Sequence, residues 1–197
     1  MAEHETLLVR KDDGVAWVSL NRPEVRNAVN QRMQDELAEL WTALGYDDAV
    51  VDEGPGRIVH DHDLWKPVIA AVQGMACGGA FYMLGQTEFI IASDDATFFD
   101  PHVTYGMTAA FEPIEMLSKM PLPEVMRMSL LGDRERLSAK RAYEIGLVSE
   151  VVPRENLREA ADWAARIIAS QPPLAIQGTL RAIWAGQELT RSQALSM

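Results

Sequence analysis

The chain has 197 residues, a formal net charge of −11 and a single cysteine. The acidic excess argues against a nucleic-acid-binding protein, because few lysines and arginines remain to neutralise phosphates. Cys77 alone cannot form an intrachain disulfide, which suits a reducing cytoplasm. The N-terminal stretch lacks the pattern of a signal peptide, and no apolar run approaches the length that spans a bilayer. We therefore expect a cytoplasmic protein without a nucleic-acid or membrane partner.

The first third of the chain predicts a β-hairpin followed by a helix. Residues 7–10 and 15–20 have strand patterns and are joined by an Asp-Gly pair, a strong hairpin signal. From Asn30 onward apolar residues recur at helical spacing, and Gly45 is a natural helix end. We expect one face of this helix to be buried.

The middle of the chain predicts parallel strands joined by a short helical crossover. Residues 68–72 form an apolar run typical of a strand that is buried on both faces. A glycine-rich turn at 74–79 leads into a helix at 80–86, and residues 89–92 and 97–99 are the next strands. Strands connected by so short a crossover pair in parallel.

The remainder of the chain is mainly helical. Residues 123–131 predict one helix, and Ser138 is a cap for a second helix that ends at Gly146. Residues 147–152 predict a strand. Asn156 caps a further helix, and a last helix follows the Pro172-Pro173 pair.

Four segments, taken in order, resemble the crotonase (enoyl-CoA hydratase/isomerase) family. The stretch KPVIAAVQGMACGGAFY at residues 66–82 is similar to the family's buried strand, glycine-rich turn and helix. The other three segments are LNRPEVRNAVN at residues 20–30, residues 96–101 and residues 130–153. Together they cover most of the chain.

The resemblance implies an α/β fold, a spiral of stacked ββα and βαβ units with a helical C-terminal trimerisation region. Residues 1–152 would form the spiral core with the acyl-CoA site, and residues 153–197 the C-terminal helical region. The family resemblance also implies a homotrimer or homohexamer. The expected substrate is a coenzyme A thioester, with no cofactor and no metal.

The resemblance places an oxyanion hole at the glycine pair. The N–H of Gly79 would hold the thioester oxygen as it becomes an enolate oxygen. A glycine allows this close approach because it has no Cβ, and the following helix adds its positive end. The alternative interpretation is that Gly78 and Gly79 merely permit a tight turn.

The resemblance also implies a set of contacts with the substrate and its coenzyme A. Arg22 and Arg26 are the cations of the segment that lines the coenzyme A channel in relatives, although simple surface placement is equally compatible with the sequence. The whole expected set is Arg22, Glu24, Val25, Arg26, Ala28, Met75, Gly78 and Pro101.

Two features depart from the family pattern in length. The second oxyanion donor should come from a strand and an Ala/Gly-rich loop, but residues 50–63 show no such loop. Either a segment is missing from this sequence or a natural deletion has removed half of the oxyanion hole. The sequence also stops at Met197, short of the family's closing helices.

A third departure concerns the acid–base groups. Family hydratases use two glutamates, and the corresponding positions here hold Tyr82 and His102. His102 is a candidate general base because its ordinary pKa lies near neutrality, and Tyr82 is a candidate donor. A backbone-bonded histidine and a packed aromatic ring are the alternatives. Ordinary two-carboxylate hydration is therefore not expected.

Two further carboxylates are candidates for the site. Asp100 would face the substrate or cap the following turn, and Glu112 lies near the position where some relatives place an acid. The metal-like run at residues 60–63 is better explained as a solvated turn, because neighbouring side chains of an exposed strand point to opposite faces.

Several functions compete with this interpretation. A dinucleotide-binding oxidoreductase is disfavoured, because Gly74 and the glycine pair give G-x-x-x-G-G instead of G-x-G-x-x-G. A crotonase-fold protein that binds acyl-CoA without turnover remains an alternative. Among the reactions, double-bond isomerisation needs one proton shuttle, while hydration through His102 and Tyr82 or thioester hydrolysis would use the same oxyanion hole.

Overall fold

The computed structural model describes residues 4–45 and 64–196. The chain divides into two compact units, one made of residues 1–67 and 165–197 and the other of residues 68–164. The strands are β1 Leu7–Asp12, β2 Val15–Leu20, β3 Ile69–Val72, β4 Met75–Cys77, β5 Phe89–Ser93, β6 Thr97–Phe99, β7 Leu137–Ser138 and β8 Glu150–Val152. The helices are α1 Gln31–Gly45, α2 Ala80–Gly85, α3 Phe111–Met116, α4 Leu122–Leu131, α5 Ala139–Glu144, α6 Leu157–Ala169, α7 Pro173–Glu188 and α8 Arg191–Ala194.

The first unit contains the predicted hairpin and helix. Strands β1 and β2 pair antiparallel, with Leu7 opposite Leu20. Asp13 and Gly14 both have positive φ, as a tight hairpin turn requires. Helix α1 begins one residue after Asn30, whose side chain accepts a hydrogen bond from the Met33 N–H at 3.0 Å. The hairpin and the helix are therefore confirmed.

A buried carboxylate holds helix α1 against the start of the hairpin. Glu36 accepts hydrogen bonds from the Thr6 hydroxyl at 2.5 Å and from the N–H groups of Thr6 at 2.9 Å and Glu5 at 2.7 Å. Burial by itself raises the pKa of Glu36, but these donors and the charge of Arg32 outweigh it and hold the pKa at about 2. The carboxylate is thus charged and fully satisfied inside the unit.

The second unit is built from two three-stranded sheets, with strand orders β3-β5-β8 and β4-β6-β7. Consecutive strands enter different sheets: β3 and β5 pair in parallel in one sheet, and β4 and β6 pair in parallel in the other. The chain thus repeats a pattern of one strand in each sheet followed by a helix. This confirms the parallel pairing and the α/β fold of stacked ββα units.

The switch between the sheets lies at Gly74, where φ is +64°. The Gly74 carbonyl accepts a hydrogen bond from the Thr97 N–H at 2.7 Å, which starts the β4–β6 pairing. Strand β4 was not predicted, because its three residues lie within the glycine-rich segment and are too short to show a strand pattern.

The core of the second unit lies between these sheets and their helices. The fully buried large side chains of this core include Phe81, Ile90, Phe98 and Met116. The predicted cap of α5 is confirmed, because the Ser138 hydroxyl accepts a hydrogen bond from the Arg141 N–H at 3.2 Å.

The predicted strand at 147–152 is shorter than expected. Leu147 and Val148 are buried in the core before the strand begins at Glu150. Asn156 closes a 3-10 turn, Arg154–Asn156, that leads directly into α6. Helix α7 begins at Pro173, as predicted from the proline pair. Among the helices that the structure describes, none combines the length and the hydropathy that a bilayer crossing requires.

Candidate active site

The glycine pair forms the turn between β4 and α2. Gly78 has φ +49°, a conformation that favours glycine, and its N–H donates to the Phe99 carbonyl at 3.4 Å. Gly79 follows as the first residue before α2, with helical φ and ψ. Within the described residues its N–H donates to no backbone carbonyl. A Cβ on Gly79 would meet no atom within 4 Å, so the space beside its Cα is open.

Strand β6, which pairs in parallel with β4, is followed by an aspartate and a histidine at the same end of the sheet as the glycine pair. Cys77 lies opposite Phe99 in the β4–β6 register, so the residues after each strand come together. Asp100 has no exposed surface. Its Oδ1 accepts hydrogen bonds from the His102 N–H at 3.1 Å and from His102 Nδ1 at 2.5 Å. Asp100 thereby fixes the orientation of the imidazole ring and the proton on Nδ1.

The imidazole of His102 lies directly against the glycine pair. A Cβ on Gly78 would be 3.5 Å from His102 Cε1 and 3.6 Å from Pro101 Cδ. The positive φ is therefore what calls for glycine in this turn, and the ring lies at contact distance from it.

A second buried carboxylate faces the other side of the ring. Glu112, in the first turn of α3, is 3% exposed, and its Oε1 lies 3.4 Å from His102 Nε2. Tyr82 of α2 hydrogen-bonds to Glu112. Burial raises the pKa of Tyr82 to about 12, and the hydrogen bond and charge of Glu112 and the charge of Asp100 add to the rise. Tyr82 is therefore a hydrogen-bond donor at neutral pH.

The four side chains lie in one row from Tyr82 through Glu112 and His102 to Asp100, with His102 Nε2 3.4 Å from Glu112 Oε1. Because Nδ1 donates to Asp100, a neutral His102 presents a lone pair at Nε2. Glu112 Oε1 lies 3.4 Å from this nitrogen. A ring nitrogen placed in this way can accept a proton and return it, which is what general acid–base catalysis requires.

Three of these residues could also be considered as ligands of a metal ion. Asp100, His102 and Glu112 each offer one ligand atom, and these atoms lie within 4.8 Å of one another. However, the two carboxylates face opposite nitrogens of the ring, so the imidazole separates them. An ion bound at Nε2 could reach Glu112 but would have the ring between itself and the Asp100 oxygen at Nδ1. The arrangement suits proton transfer better than three-ligand metal binding.

The expected substrate and coenzyme A contacts fall in both units. Those in the first unit lie in or next to a 3-10 helix, Pro23–Val25, and are Arg22, Glu24, Val25, Arg26 and Ala28. The Arg22 side chain donates to the Ala28 carbonyl, and the Arg22 N–H donates to the Asn27 side chain at 2.7 Å. These bonds give the segment a defined shape and leave Arg26 exposed.

The remaining expected contacts lie beside the glycine turn in the second unit. Met75 of β4 is 38% exposed, and Pro101 packs against Gly78. The segment at residues 50–63, where the second oxyanion donor was expected, and the metal-like run within it lie outside the described residues.

The sequence placed Tyr82, Asp100, His102 and Glu112 as separate candidates, and the structure brings them together. The sequence alone could not show that Asp100 and Glu112 both contact His102. Glu112 is brought in by helix α3, which was not predicted because Pro113 interrupts the helix pattern. The available signal was the first-turn position of Glu112 after a loop of small residues.

Known proteins of one family are similar to this chain. The family model described as enoyl-CoA hydratase/isomerase matches residues 59–197. An enoyl-CoA hydratase/isomerase from Mycobacterium paratuberculosis has a similar structure, with a TM-score of 0.87 and 34% identity over 98% of this chain and 86% of that one.

Curated relatives are similar over most of their length. A probable enoyl-CoA hydratase of Rhizobium meliloti is 30% identical over 98% of this chain and 86% of the relative. The (E)-benzylidenesuccinyl-CoA hydratase of Thauera aromatica is 29% identical over 89% of this chain and 80% of the relative. The chain therefore belongs to the enoyl-CoA hydratase/isomerase, or crotonase, family and is an enzyme of the hydratase/isomerase type.

Proposed function

We propose that the protein binds a coenzyme A thioester with its carbonyl oxygen on the Gly79 N–H, and that His102 transfers a proton at the carbon next to that carbonyl. The observation that carries this proposal is the contact between His102 and the glycine pair: a Cβ on Gly78 would be only 3.5 Å from His102 Cε1. A candidate proton-transfer group thus lies beside a backbone N–H that donates to no carbonyl in the described part of the chain.

The Gly79 N–H supplies electrostatic stabilisation. Removing an α-proton from a thioester places negative charge on the carbonyl oxygen, and a fixed backbone donor stabilises that charge as it develops. The open space beside Gly79 is where the carbonyl would lie. The substrate therefore becomes acidic enough for a histidine to act as base.

The reaction that this arrangement favours is the shift of a double bond in an enoyl thioester. His102 Nε2 removes a proton from the α-carbon of a 3-enoyl thioester, and the electrons move into the enolate held at Gly79. The same nitrogen returns the proton to the γ-carbon, which gives the 2-enoyl thioester and restores His102. Asp100 stabilises the imidazolium through Nδ1, and Glu112, 3.4 Å from Nε2, adds a second negative group beside it.

Hydration of a 2-enoyl thioester is the second candidate. It is favoured by the 3.4 Å contact between His102 and Glu112, since two adjacent acid–base groups can act on one water. Several relatives are named as hydratases. Against hydration as the main reaction, the two positions that hold glutamates in the family's hydratases hold Tyr82 and His102.

Turnover of matched substrates tests the proposal. We expect 3-hexenoyl-CoA to be converted to 2-hexenoyl-CoA, and crotonyl-CoA to be hydrated at least about a hundredfold more slowly than by a two-glutamate relative. The paired change Tyr82→Glu with His102→Glu should raise hydration. Fast crotonyl-CoA hydration without isomerisation would establish the second candidate instead. Tight acyl-CoA binding with no turnover would establish the non-catalytic alternative.

We also propose that the chain forms a homotrimer or homohexamer in the cytoplasm. Helix α3 exposes a large apolar face in the second unit, with Phe111 67%, Ile114 63% and Leu117 52% exposed. Apolar patches of this kind mark subunit contacts. Light scattering should report a trimer or hexamer, and Ile114→Glu should shift it toward monomer. A stable wild-type monomer at micromolar concentration would refute this assembly.

Arg22 and Arg26 complete the proposal as contacts for the coenzyme A phosphates. In a chain with a net charge of −11 the overall field repels a polyanionic ligand, so local cations have to attract it. Arg26→Gln should raise the KM for acyl-CoA more than it changes kcat. An unchanged KM would remove this residue from the expected set.

A further inference from the structure

Arg136 is an exposed arginine that makes no salt bridge within the part of the chain that the structure describes. Its guanidinium carbon lies 4.2 Å from the centre of the Phe99 ring, and Nη1 lies 3.3 Å from the Met75 sulfur. Sulfur is a weak acceptor, so most of the five N–H donors of this side chain have no strong partner among the described residues. The aromatic ring holds the charge in place without neutralising it.

Arg136 differs in this respect from the arginines near it in the chain. The sequence has 29 acidic and 18 basic residues, so carboxylates outnumber cations. Neighbouring arginines are paired: Arg127 lies 2.6 Å from Glu135, and Arg141 lies 2.5 Å from Glu124. An arginine that is oriented by an aromatic ring and left without a carboxylate is arranged to receive an anion from outside the chain.

Phe99 joins Arg136 to the candidate active site. The Phe99 carbonyl accepts a hydrogen bond from the Gly78 N–H at 3.4 Å, and the Arg136 guanidinium lies over the Phe99 ring. The pKa of Cys77, which is next to Gly78, depends on the charges of both Arg136 and Asp100. Burial raises the pKa of the Cys77 thiol, the charge of Arg136 opposes that rise, and the charge of Asp100 adds to it. The guanidinium therefore lies within electrostatic reach of the residues around the glycine turn.

An apolar surface on β4 connects the glycine turn with Arg136. Met75 and Cys77 occupy alternate positions of β4, so their side chains share one face of the strand. Three residues of strand separate Gly78 from Met75, a distance of about 10 Å. We infer that this strip carries the acyl chain of the substrate and that Arg136 binds a carboxylate at its far end. This inference rests on the proposed binding of the thioester at Gly79.

The phosphates of coenzyme A are the other possible anions, and geometry disfavours them. The long pantetheine arm separates the thioester from the phosphates, so a cation about 10 Å along the strand from the glycine turn is too near the thioester to meet them. The preferred substrates should therefore be thioesters of dicarboxylic acids, with the second carboxylate bound by Arg136.

Calorimetric binding of adipyl-CoA and hexanoyl-CoA tests this inference. The two ligands have equal chain length and differ in the terminal carboxylate, and neither has a double bond to be hydrated or moved. We expect adipyl-CoA to bind the wild type roughly tenfold more tightly, the size expected for one charge-assisted hydrogen bond. Arg136→Gln should abolish the preference and leave the affinity for hexanoyl-CoA unchanged.

Arg134→Gln is the matched control, because Arg134 is a neighbouring, highly exposed arginine that is paired with Asp133. It should keep the preference for adipyl-CoA. Equal binding of the two ligands by the wild type would overturn the inference and leave the proposed function standing. Equal weakening of both ligands by Arg136→Gln would assign Arg136 to coenzyme A itself and would also overturn it. Failure of both ligands to bind the wild type would refute the proposed function and this inference together.

Discussion

Two substitutions of His102 separate its proposed chemistry from its structural contact with Asp100. His102→Asn places an amide nitrogen close to the position of Nδ1, so it can still donate to the buried Asp100 carboxylate, but it has no group at the position of Nε2. His102→Ala removes both groups. In the wild type Asp100 receives two donors from this residue, the N–H at 3.1 Å and Nδ1 at 2.5 Å, and alanine leaves only the first.

The expected magnitudes differ for rate and stability. Loss of one general acid–base group typically costs ~10²–10⁴ in rate, or about 3–5 kcal/mol of barrier, so both variants should lose activity by this factor. A hydrogen bond to a charged group contributes about 1.5–3 kcal/mol, so alanine should lower the free energy of unfolding by that amount. Asparagine should lower it by less than about 1 kcal/mol.

Deuterium exchange at the α-carbon of butyryl-CoA, followed by mass spectrometry, measures the proton transfer without requiring a complete reaction. Urea denaturation measures the stability. If either variant keeps more than about a tenth of the wild-type exchange rate, His102 is not the proton-transfer group. If the two variants are equally stable, the Asp100 contact does not stabilise the fold as the geometry indicates.

Three further predictions address the neighbouring residues. Gly79→Ala should fold normally, because its Cβ meets nothing within 4 Å, but it should lose activity because the methyl group occupies the space for the carbonyl. Gly78→Ala, at φ +49°, should instead lose about 1–2 kcal/mol of stability. Circular dichroism and exchange assays would detect the reverse pattern if the roles of the two glycines are misassigned. Glu112→Gln should lower the pKa of Tyr82 from about 12 toward its ordinary value, as followed by ultraviolet titration with Tyr82→Phe as the control; an unchanged titration would contradict the bond. Glu36 has its pKa lowered from 4.5 to about 2 in the folded chain, so its contribution, roughly 3 kcal/mol, should be complete above pH 4.5 and disappear as the pH falls through 2. Glu36→Gln should flatten that part of the stability curve, and parallel curves would refute the assignment.

Patterns that depend on neighbouring residues were predictable from the sequence. The hairpin follows from its Asp-Gly turn, α1 from its apolar spacing, and the parallel pairing of β3 and β5 from the short crossover. Each of these is decided by residues that are close together in the chain.

The features that were not predictable depend on contacts between distant segments. Strand β4 exists because β6 lies beside it, and three residues alone carry no strand pattern. Glu112 reaches His102 only through the packing of α3, and the open guanidinium of Arg136 depends on Phe99, which lies far from it in the sequence. Sequence reasoning therefore named the candidate side chains but not the order in which they contact one another.

The alternation of strands between two sheets has a consequence for how the chemistry of such a site can change. The glycine turn ends one coil of the ββα spiral, and the Asp100 turn ends the next coil at the aligned position, since Cys77 lies opposite Phe99. Under the proposed function each coil would contribute its own component, the oxyanion donor from one and the proton carrier from the other. A substitution at the end of the second coil could then change the proton carrier while the first coil keeps its geometry, so the fold could acquire a new reaction without rebuilding its means of activating the thioester.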